Sequence, residues 1–158
     1  MIAVLSISCI AIYLGGLALA AGWDMATRSI PNLLVATIAL AACGRLLLVS
    51  PAALPSHGIV ALAVLCCGAL LFALRLWGAG DAKLLAAAAV VLGTKGLPLL
   101  ILGTAMVGGI LAIVYLTLRF LPGGKTTAAK GIPYGVAIAC GAIIAFVGTN
   151  VHGPLSGL

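Results

Sequence analysis

The sequence has little charge of either sign, and acidic residues are the scarcest. Two acids stand against eight Lys and Arg in 158 residues, and only 6% of the residues are charged. A soluble globular domain carries about 25% charged residues, so these side chains are too few to cover a 15.6 kDa globule in water. The scarcity of charge therefore excludes a soluble protein. Because 65% of the residues are apolar or aromatic, lipid must be the solvent for most of the chain.

Patterns that bind metals or nucleic acids are also missing. The five cysteines are scattered through apolar runs without a C-x-x-C pair, which indicates small packing residues. His57 and His152 occupy short polar breaks, where we expect a solvated side chain. The cations fall singly between apolar runs and form no basic face. The sequence therefore predicts no metal site and no nucleic-acid partner.

Long apolar runs are what the sequence does have, and about 20 such residues cross a bilayer as a helix. Runs of that length are Ile2 to Gly22, Ile30 to Val49, Gly58 to Trp77, Leu97 to Phe120 and Gly131 to Thr149. A further run, residues 82–92, covers only about half the hydrocarbon thickness at ~1.5 Å per residue. We therefore predict an all-α polytopic integral membrane bundle of about six transmembrane helices, forming one domain over residues 1–158.

The cations predict how these spans are oriented. With the amino terminus outside, Arg45 and Lys95 fall on the outer side and the remaining cations on the inner side. The inner cations are Arg28, Arg75, Lys83, Arg119, Lys125 and Lys130. Trp23 and Trp77 agree, because each closes a span at the inner interface, where aromatic residues are enriched. The positive-inside rule thus predicts both termini outside.

The two acids, Asp24 and Asp81, are each expected at the inner end of a span, one to four residues after a tryptophan. Two spans separate them, so the chain returns to the same face and both carboxylates lie at a similar depth. Acids near hydrocarbon are costly and usually serve pairing, ion passage or catalysis. Each aspartate is therefore a candidate functional residue.

A pair of carboxylates can activate water. At about 3 to 6 Å they cannot both ionise easily, so one keeps a proton while the other takes a proton from water that attacks a peptide carbonyl. The protonated partner donates to the developing oxyanion, and no cofactor is needed. On residue types alone, other roles stay open: Asp24 could pair with Arg28, Asp81 could cap a helix beside the anchor Lys83, or both could relay protons in a small transporter or channel.

Three short motifs narrow these choices. Residues 78–83 read G-x-G-D-x-K, residues 24–32 read D-x-x-x-R-x-I-P-N, and residues 132–137 read I-P-Y-G-x-A. Together and in this order they resemble the type IV prepilin peptidases, the GxGD class of intramembrane aspartyl proteases. The resemblance covers essentially the whole chain.

The resemblance implies that Asp24 and Asp81 are the catalytic pair, with no metal and no cofactor. It also implies a set of supporting or substrate-binding residues around them. These are Gly78, Gly80, Lys83, Arg28, Asn32, Pro133, Tyr134 and Gly135. The glycines have a physical reason as well, because a residue without Cβ lets a substrate backbone approach an acid closely.

Larger family members carry an amino-terminal zinc domain with two C-x-x-C pairs, which accompanies N-methylation of the cleaved pilin. Here the first span begins at residue 2, so the chain resembles the minimal TadV or CpaA form of tight-adherence systems. The resemblance implies an endopeptidase of the inner membrane that removes a short basic leader from Flp-type prepilins or pseudopilins at the cytoplasmic face, without methyl transfer. An archaellin-like precursor is an alternative substrate.

Two further interpretations compete with a peptidase. One is the proton-coupled transporter or channel subunit, and the other is an assembly partner of a secretion apparatus with no chemistry of its own. A serine protease is disfavoured, because the sequence has no G-x-S-x-G and both histidines fall on the predicted outer side. The sequence leaves the oligomeric state open.

Overall fold

Within residues 1–120 and 132–152, the part of the chain that the computed structural model describes, every regular element is a helix. The helices are α1 (Ile2–Thr27), α2 (Asn32–Val49), α3 (Leu54–Ala73), α4 (Ala79–Phe120) and α5 (Tyr134–His152), and a 3₁₀ turn (Pro51–Ala53) precedes α3. The all-α prediction is therefore confirmed. Lys125, Lys130 and Gly131, which entered the predicted topology, lie outside the described residues.

The helices form a membrane bundle. Four of the described helical segments are long and apolar enough to cross a bilayer, and α5 is a shorter apolar helix. Large apolar side chains face outward, as Leu33 at 81% and Leu40 at 72% exposure show. Such faces require lipid as their solvent. The predicted number of about six spans is not confirmed, because α4 counts as one candidate span although it consists of two helical segments that meet at Gly93.

Helix α4 is broken at Gly93, where φ is 58° and ψ is −158°. The chain folds back there, since Trp77 and Leu85 line the same cavity as Gly108 and Gly109. A straight helix would separate residues 85 and 108 by about 35 Å at ~1.5 Å per residue. The positive φ of Gly93 lies in a region that residues with a Cβ avoid, so glycine suits this reversal.

The first segment of α4, residues 82–92, lies at the centre of the bundle. Every residue in it except Lys83 is buried, and α2, α3 and α5 all pack against α4. The Oη of Tyr13 in α1 donates a hydrogen bond to the carbonyl of Ala88 at 3.1 Å. Gly68 of α3 lies so close to Ala82 that a side chain would not fit between them. Small residues permit this close approach, which dispersion contacts between apolar helices require.

The fold has two distinct ends. We call the end that holds residues 24–32, 77–83 and 132–135 the aspartate end, and the end that holds His57 and Gly93 the opposite end. His57 is not in a solvated break as predicted: it lies in the first turns of α3, and its Nδ1 is 2.8 Å from the carbonyl oxygen of Val90. The prediction failed because α3 begins at Leu54, with a proline in its first turn, several residues before the apolar run.

Candidate active site

Asp24 lies in the last turn of α1. The helix ends at Arg28, which adopts the left-handed conformation with φ 57° and ψ 29°, and whose backbone N–H donates to the carbonyl of Asp24 at 3.0 Å. Pro31 at the N-cap then starts α2. A non-glycine residue in this conformation is uncommon and costs about 1 kcal/mol or more. The tight turn keeps Arg28 at the aspartate end of the bundle.

Asp81 lies in the first turn of α4. The positive end of the helix dipole favours a carboxylate at this position. A Cβ at Gly78, just before the helix, would be 2.8 Å from Oδ2 of Asp81, so the carboxylate would have to shift. Gly80 is less crowded, since its Cβ would lie 3.5 Å from Ile30, which is an ordinary contact. The two glycines of the G-x-G-D motif therefore differ in their steric demand.

Asp24 and Asp81 line one cavity of about 390 Å³. They are close enough for the charge of Asp24 to act on the carboxyl group of Asp81. All three motifs contribute to this cavity. Its lining residues come from the end of α1, the start of α2, the start of α4 and the residue before Pro133 that precedes α5. Its other lining residues are Arg28, Ser29, Ile30, Asn32, Gly78, Ala79, Gly80, Lys83 and Ile132.

The carboxylate of Asp24 is held by the start of α5. The backbone N–H of Gly135 donates to Oδ2 of Asp24 at 2.8 Å. Asp24 is only 6% exposed. A Cβ at Gly135 would be 2.9 Å from both Cβ and Oδ2 of Asp24. The first amides of a helix have no partner within the helix and attract anions. Each aspartate thus lies at the amino-terminal end of a helix. Asp81 belongs to the first turn of α4, and Asp24, although part of α1, contacts the first turn of α5.

Arg28 reaches across to the second segment of α4, the part that follows the break at Gly93. Its Nη2 donates to Oη of Tyr115 at 2.7 Å, and the guanidinium lies 5.5 Å from the centre of the Tyr115 ring. Its Nε and Nη1 are buried and have no hydrogen-bond partner within the described part of the chain. Buried donors without partners are costly, so such groups call for an acceptor. The residue also lines the aspartate cavity, so the side chain of Arg28 connects the cavity wall to Tyr115.

Lys83 and Asn32 connect α4 and α2 at the edge of the cavity. Nζ of Lys83 donates to Oδ1 of Asn32 at 3.1 Å, and both side chains are exposed. The alternative in which Asp24 pairs with Arg28 is not seen among the described contacts, where the side chain of Arg28 bonds Tyr115. Lys83 is also more than an anchor in lipid, because it lines the cavity.

Pro133 and Tyr134 do not line the aspartate cavity. Pro133 is buried, and Tyr134 lines a neighbouring cavity of about 420 Å³ together with Trp77. Of the I-P-Y-G motif, Ile132 and the amide of Gly135 are what reach the site. Tyr115 was missed at the sequence level, since it stands in an apolar run with no motif around it.

The residue types in the cavity suit acid and base chemistry. Among the described residues, no group of three or more His, Cys, Asp or Glu could hold a metal ion. The cavity instead combines two carboxylates with the cationic side chains of Arg28 and Lys83. Two adjacent carboxylates can take and give a proton within one site.

Fold and site together define a helical membrane protein that holds a carboxylate pair in a cavity at one end of its bundle. A sequence profile of the type IV leader peptidase family matches residues 11–113 of the 158-residue chain. The chain belongs to this family, and it is therefore a peptidase. Comparison with curated proteins and with solved structures found no match. The matched residues include both aspartates but end before α5, so the contact of Gly135 with Asp24 comes from the structure alone.

Proposed function

We propose that the protein is an aspartic endopeptidase that removes the short basic leader from type IV prepilin-like precursors of the Flp type. The observation that carries the proposal is the cavity in which Asp24 and Asp81 face the same space. Membership of the type IV leader peptidase family supports it, because leader removal is the reaction in the family's name.

In the proposed reaction, the two carboxyl groups share one proton. The ionised carboxylate takes a proton from a water molecule, and the oxygen of that water attacks the carbonyl carbon of the scissile peptide bond. The protonated carboxyl donates to the carbonyl oxygen as negative charge develops there. When the tetrahedral intermediate collapses, the C–N bond breaks and the leaving amine takes the proton that the first carboxylate had received from water. A hydroxyl of the intermediate returns its proton to the other carboxylate as the carbonyl re-forms, so the pair regains its starting state. No metal or cofactor takes part.

The residues around the pair have distinct parts in this proposal. The amide of Gly135 fixes the carboxylate of Asp24, and the absence of a side chain at Gly78 leaves space beside Asp81 for an extended peptide. The side chain of Arg28 lines the cavity and is a hydrogen-bond donor for a carbonyl or carboxylate of the precursor. Because a leader with basic residues is repelled by Arg28 and Lys83, we place it away from these two side chains.

We place the aspartate end at the cytoplasmic face of the inner membrane. The support is the charge distribution, because Arg28 and Lys83 lie at this end while Lys95 follows the Gly93 break at the opposite end. Cleavage there fits a precursor whose leader stays in the cytoplasm and whose apolar segment enters the membrane. We further propose that this polypeptide transfers no methyl group, since no zinc-binding cysteine pairs occur in the sequence.

The test is to co-express the chain with a precursor that has a short basic leader and an apolar helix, and to follow leader removal by gel shift. We expect Asp24→Asn and Asp81→Asn each to abolish cleavage while the protein still accumulates in the membrane. Thr37→Val is the matched control, because Thr37 is an exposed residue of α2 whose hydroxyl bonds only the preceding turn. It should cleave as the wild type does.

Other outcomes favour other functions. Cleavage that survives Asp24→Asn or Asp81→Asn removes that aspartate from the reaction. A wild type that cuts no precursor, together with Asp→Glu variants that keep a proton flux across vesicles, would favour a proton-coupled transporter.

A further inference from the structure

A third cavity, which is largely apolar, adjoins the aspartate site. Helices α2 and α3 both pack against α4 but touch each other little, so a groove of about 510 Å³ stays open between them. We call this space the α2–α3 groove. It is lined by Asn32, Val35, Ala36, Ala39, Ala61, Leu62, Leu65, Lys83, Ala86, Ala87 and Val90.

The groove borders the aspartate cavity. Asn32 and Lys83 line both spaces, and the hydrogen bond between them marks the junction. From Lys83 the floor of the groove follows one face of α4 through Ala86, Ala87 and Val90, which covers about 10 Å along the helix axis. The groove therefore leads from the carboxylate pair toward the opposite end, along the membrane-spanning part of the bundle.

The lining suits a helix. Away from the junction every lining residue is apolar, and five of them are alanines. Small side chains let a second helix approach closely enough for dispersion contacts, which drive helix association in lipid. The walls are accessible from the side, because Ala36 is exposed and Leu62 is 59% exposed.

We propose that the α2–α3 groove receives the apolar helix of the precursor, an inference that rests on the proposed function. A leader peptidase must cut a bond just before an apolar segment, so that segment has to lie on the membrane side of the catalytic carboxylates. The groove occupies that position and borders the cavity at its one polar junction, Asn32 and Lys83. A helix docked there ends beside Asp81, where the chain must become extended for the attack on its carbonyl. The groove thus selects precursors by the packing of their apolar helix.

The experiment uses the full chain in membrane vesicles with a precursor made of a short basic leader and an apolar helix of about 20 residues. A photoreactive side chain is incorporated at position 36, in the groove, or at position 63. Ala63 is the matched control, because it is an exposed alanine of α3 that does not line the groove. We expect an adduct with the precursor from position 36 and none from position 63.

A cleavage measurement accompanies the crosslinking. Ala36→Trp fills the groove and should lower the rate of leader removal roughly tenfold or more, whereas Ala63→Trp should cleave at the wild-type rate. Because Ala36 is exposed, its replacement displaces no core residue. Equal rates for the two variants, adducts from both positions, or adducts from position 36 with lipid or a second copy of the chain alone, would each overturn the proposal.

The two proposals fail separately. Crosslinking needs binding only, so it reports on the groove even if no leader is removed. Absence of cleavage by the wild type counts against the proposed function. Wild-type cleavage with no effect of Ala36→Trp counts against the groove alone.

Discussion

At each end of the bundle a side chain bonds the backbone of a helix end beside a glycine, but the two contacts lead to different surroundings. At the opposite end, Nδ1 of His57 lies 2.8 Å from the carbonyl of Val90, and its ring lies against Gly93. At the aspartate end, Oδ2 of Asp24 accepts from the amide of Gly135, also at 2.8 Å. A helix that ends needs donors for its carbonyls and a helix that begins needs acceptors for its amides, so each contact satisfies one helix end.

The difference lies in what surrounds each contact. The contact of His57 closes the turn at which α4 reverses, and neither His57 nor Gly93 lines a cavity described above, although Val90 lines the α2–α3 groove. Asp24 lines a cavity of about 390 Å³ whose other lining residues include a second carboxylate, Asp81, and the cationic residues Arg28 and Lys83. The same construction therefore closes a turn of the fold at one end and, in the proposed function, positions a reacting group at the other.

The sharpest way to test this contrast is Gly135→Ala. The added methyl would lie 2.9 Å from Oδ2 of Asp24 and must displace either α5 or the carboxylate. We expect leader removal to slow roughly 100-fold, as a displacement of about 1 Å at a reacting group can do. Gly15→Ala is the control, because Gly15 has open space around it. Equal rates for the two variants would show that the position of Asp24 does not depend on α5.

Gly93→Ala tests the opposite end. Alanine is strained at a φ of 58°, and its methyl would collide with the His57 ring. We expect a loss of about 2 kcal/mol in the free energy of unfolding, seen as a lower Tm in detergent. Gly58→Ala, at the same end with open space around it, should leave the Tm nearly unchanged. The rate per folded molecule should stay at the wild-type value, and a large fall in that rate would contradict the division between the two ends.

The two glycines of the G-x-G-D motif allow a finer comparison within the aspartate end. A methyl at Gly78 would lie 2.8 Å from Oδ2 of Asp81, whereas a methyl at Gly80 would lie 3.5 Å from Ile30. We expect Gly78→Ala to slow leader removal about tenfold and Gly80→Ala to slow it much less. The rates are measured side by side at matched protein levels. The reverse order would mean that Gly80, not Gly78, limits access to the carboxylate.

His57→Ala should have the smallest effect. It removes one hydrogen bond to the carbonyl of Val90 and leaves that acceptor unpaired at the end of a helical segment. We expect a loss of about 1 kcal/mol in stability, read from the Tm, with no change in the cleavage rate. A variant that is fully stable but inactive would give His57 a part in the reaction.

Much of this architecture follows from local features of the sequence. Apolar runs with Gly and Pro between them predict membrane helices, and the parity of the spans predicts Asp24 and Asp81 at one end, where the structure places them. The ends of the runs do not mark the ends of the helices. α1 continues past Gly22 to Thr27, because hydrogen bonding along a helix does not stop where polar residues begin. Asp24 therefore lies within a helix and not after it.

Local features of the sequence do not predict contacts between distant segments. Tyr115 bonds Arg28 across 87 positions, and nothing in its apolar surroundings distinguishes it from a residue that faces lipid. The α2–α3 groove depends on how two helices diverge, which apolar periodicity does not encode when all sides of a helix are apolar. Gly135 was singled out by the motif, but its role as a donor to Asp24 required the position of α5.

The bond between Asp24 and Gly135 joins residues 111 positions apart. A ribosome adds the amino-terminal helices first, so both aspartates enter the membrane before the residue that fixes one of them has been made. The orientation of Asp24 is therefore completed only when the last described helix has been inserted. During most of its synthesis, the nascent protein therefore holds both aspartates without the amide of Gly135 that positions Asp24.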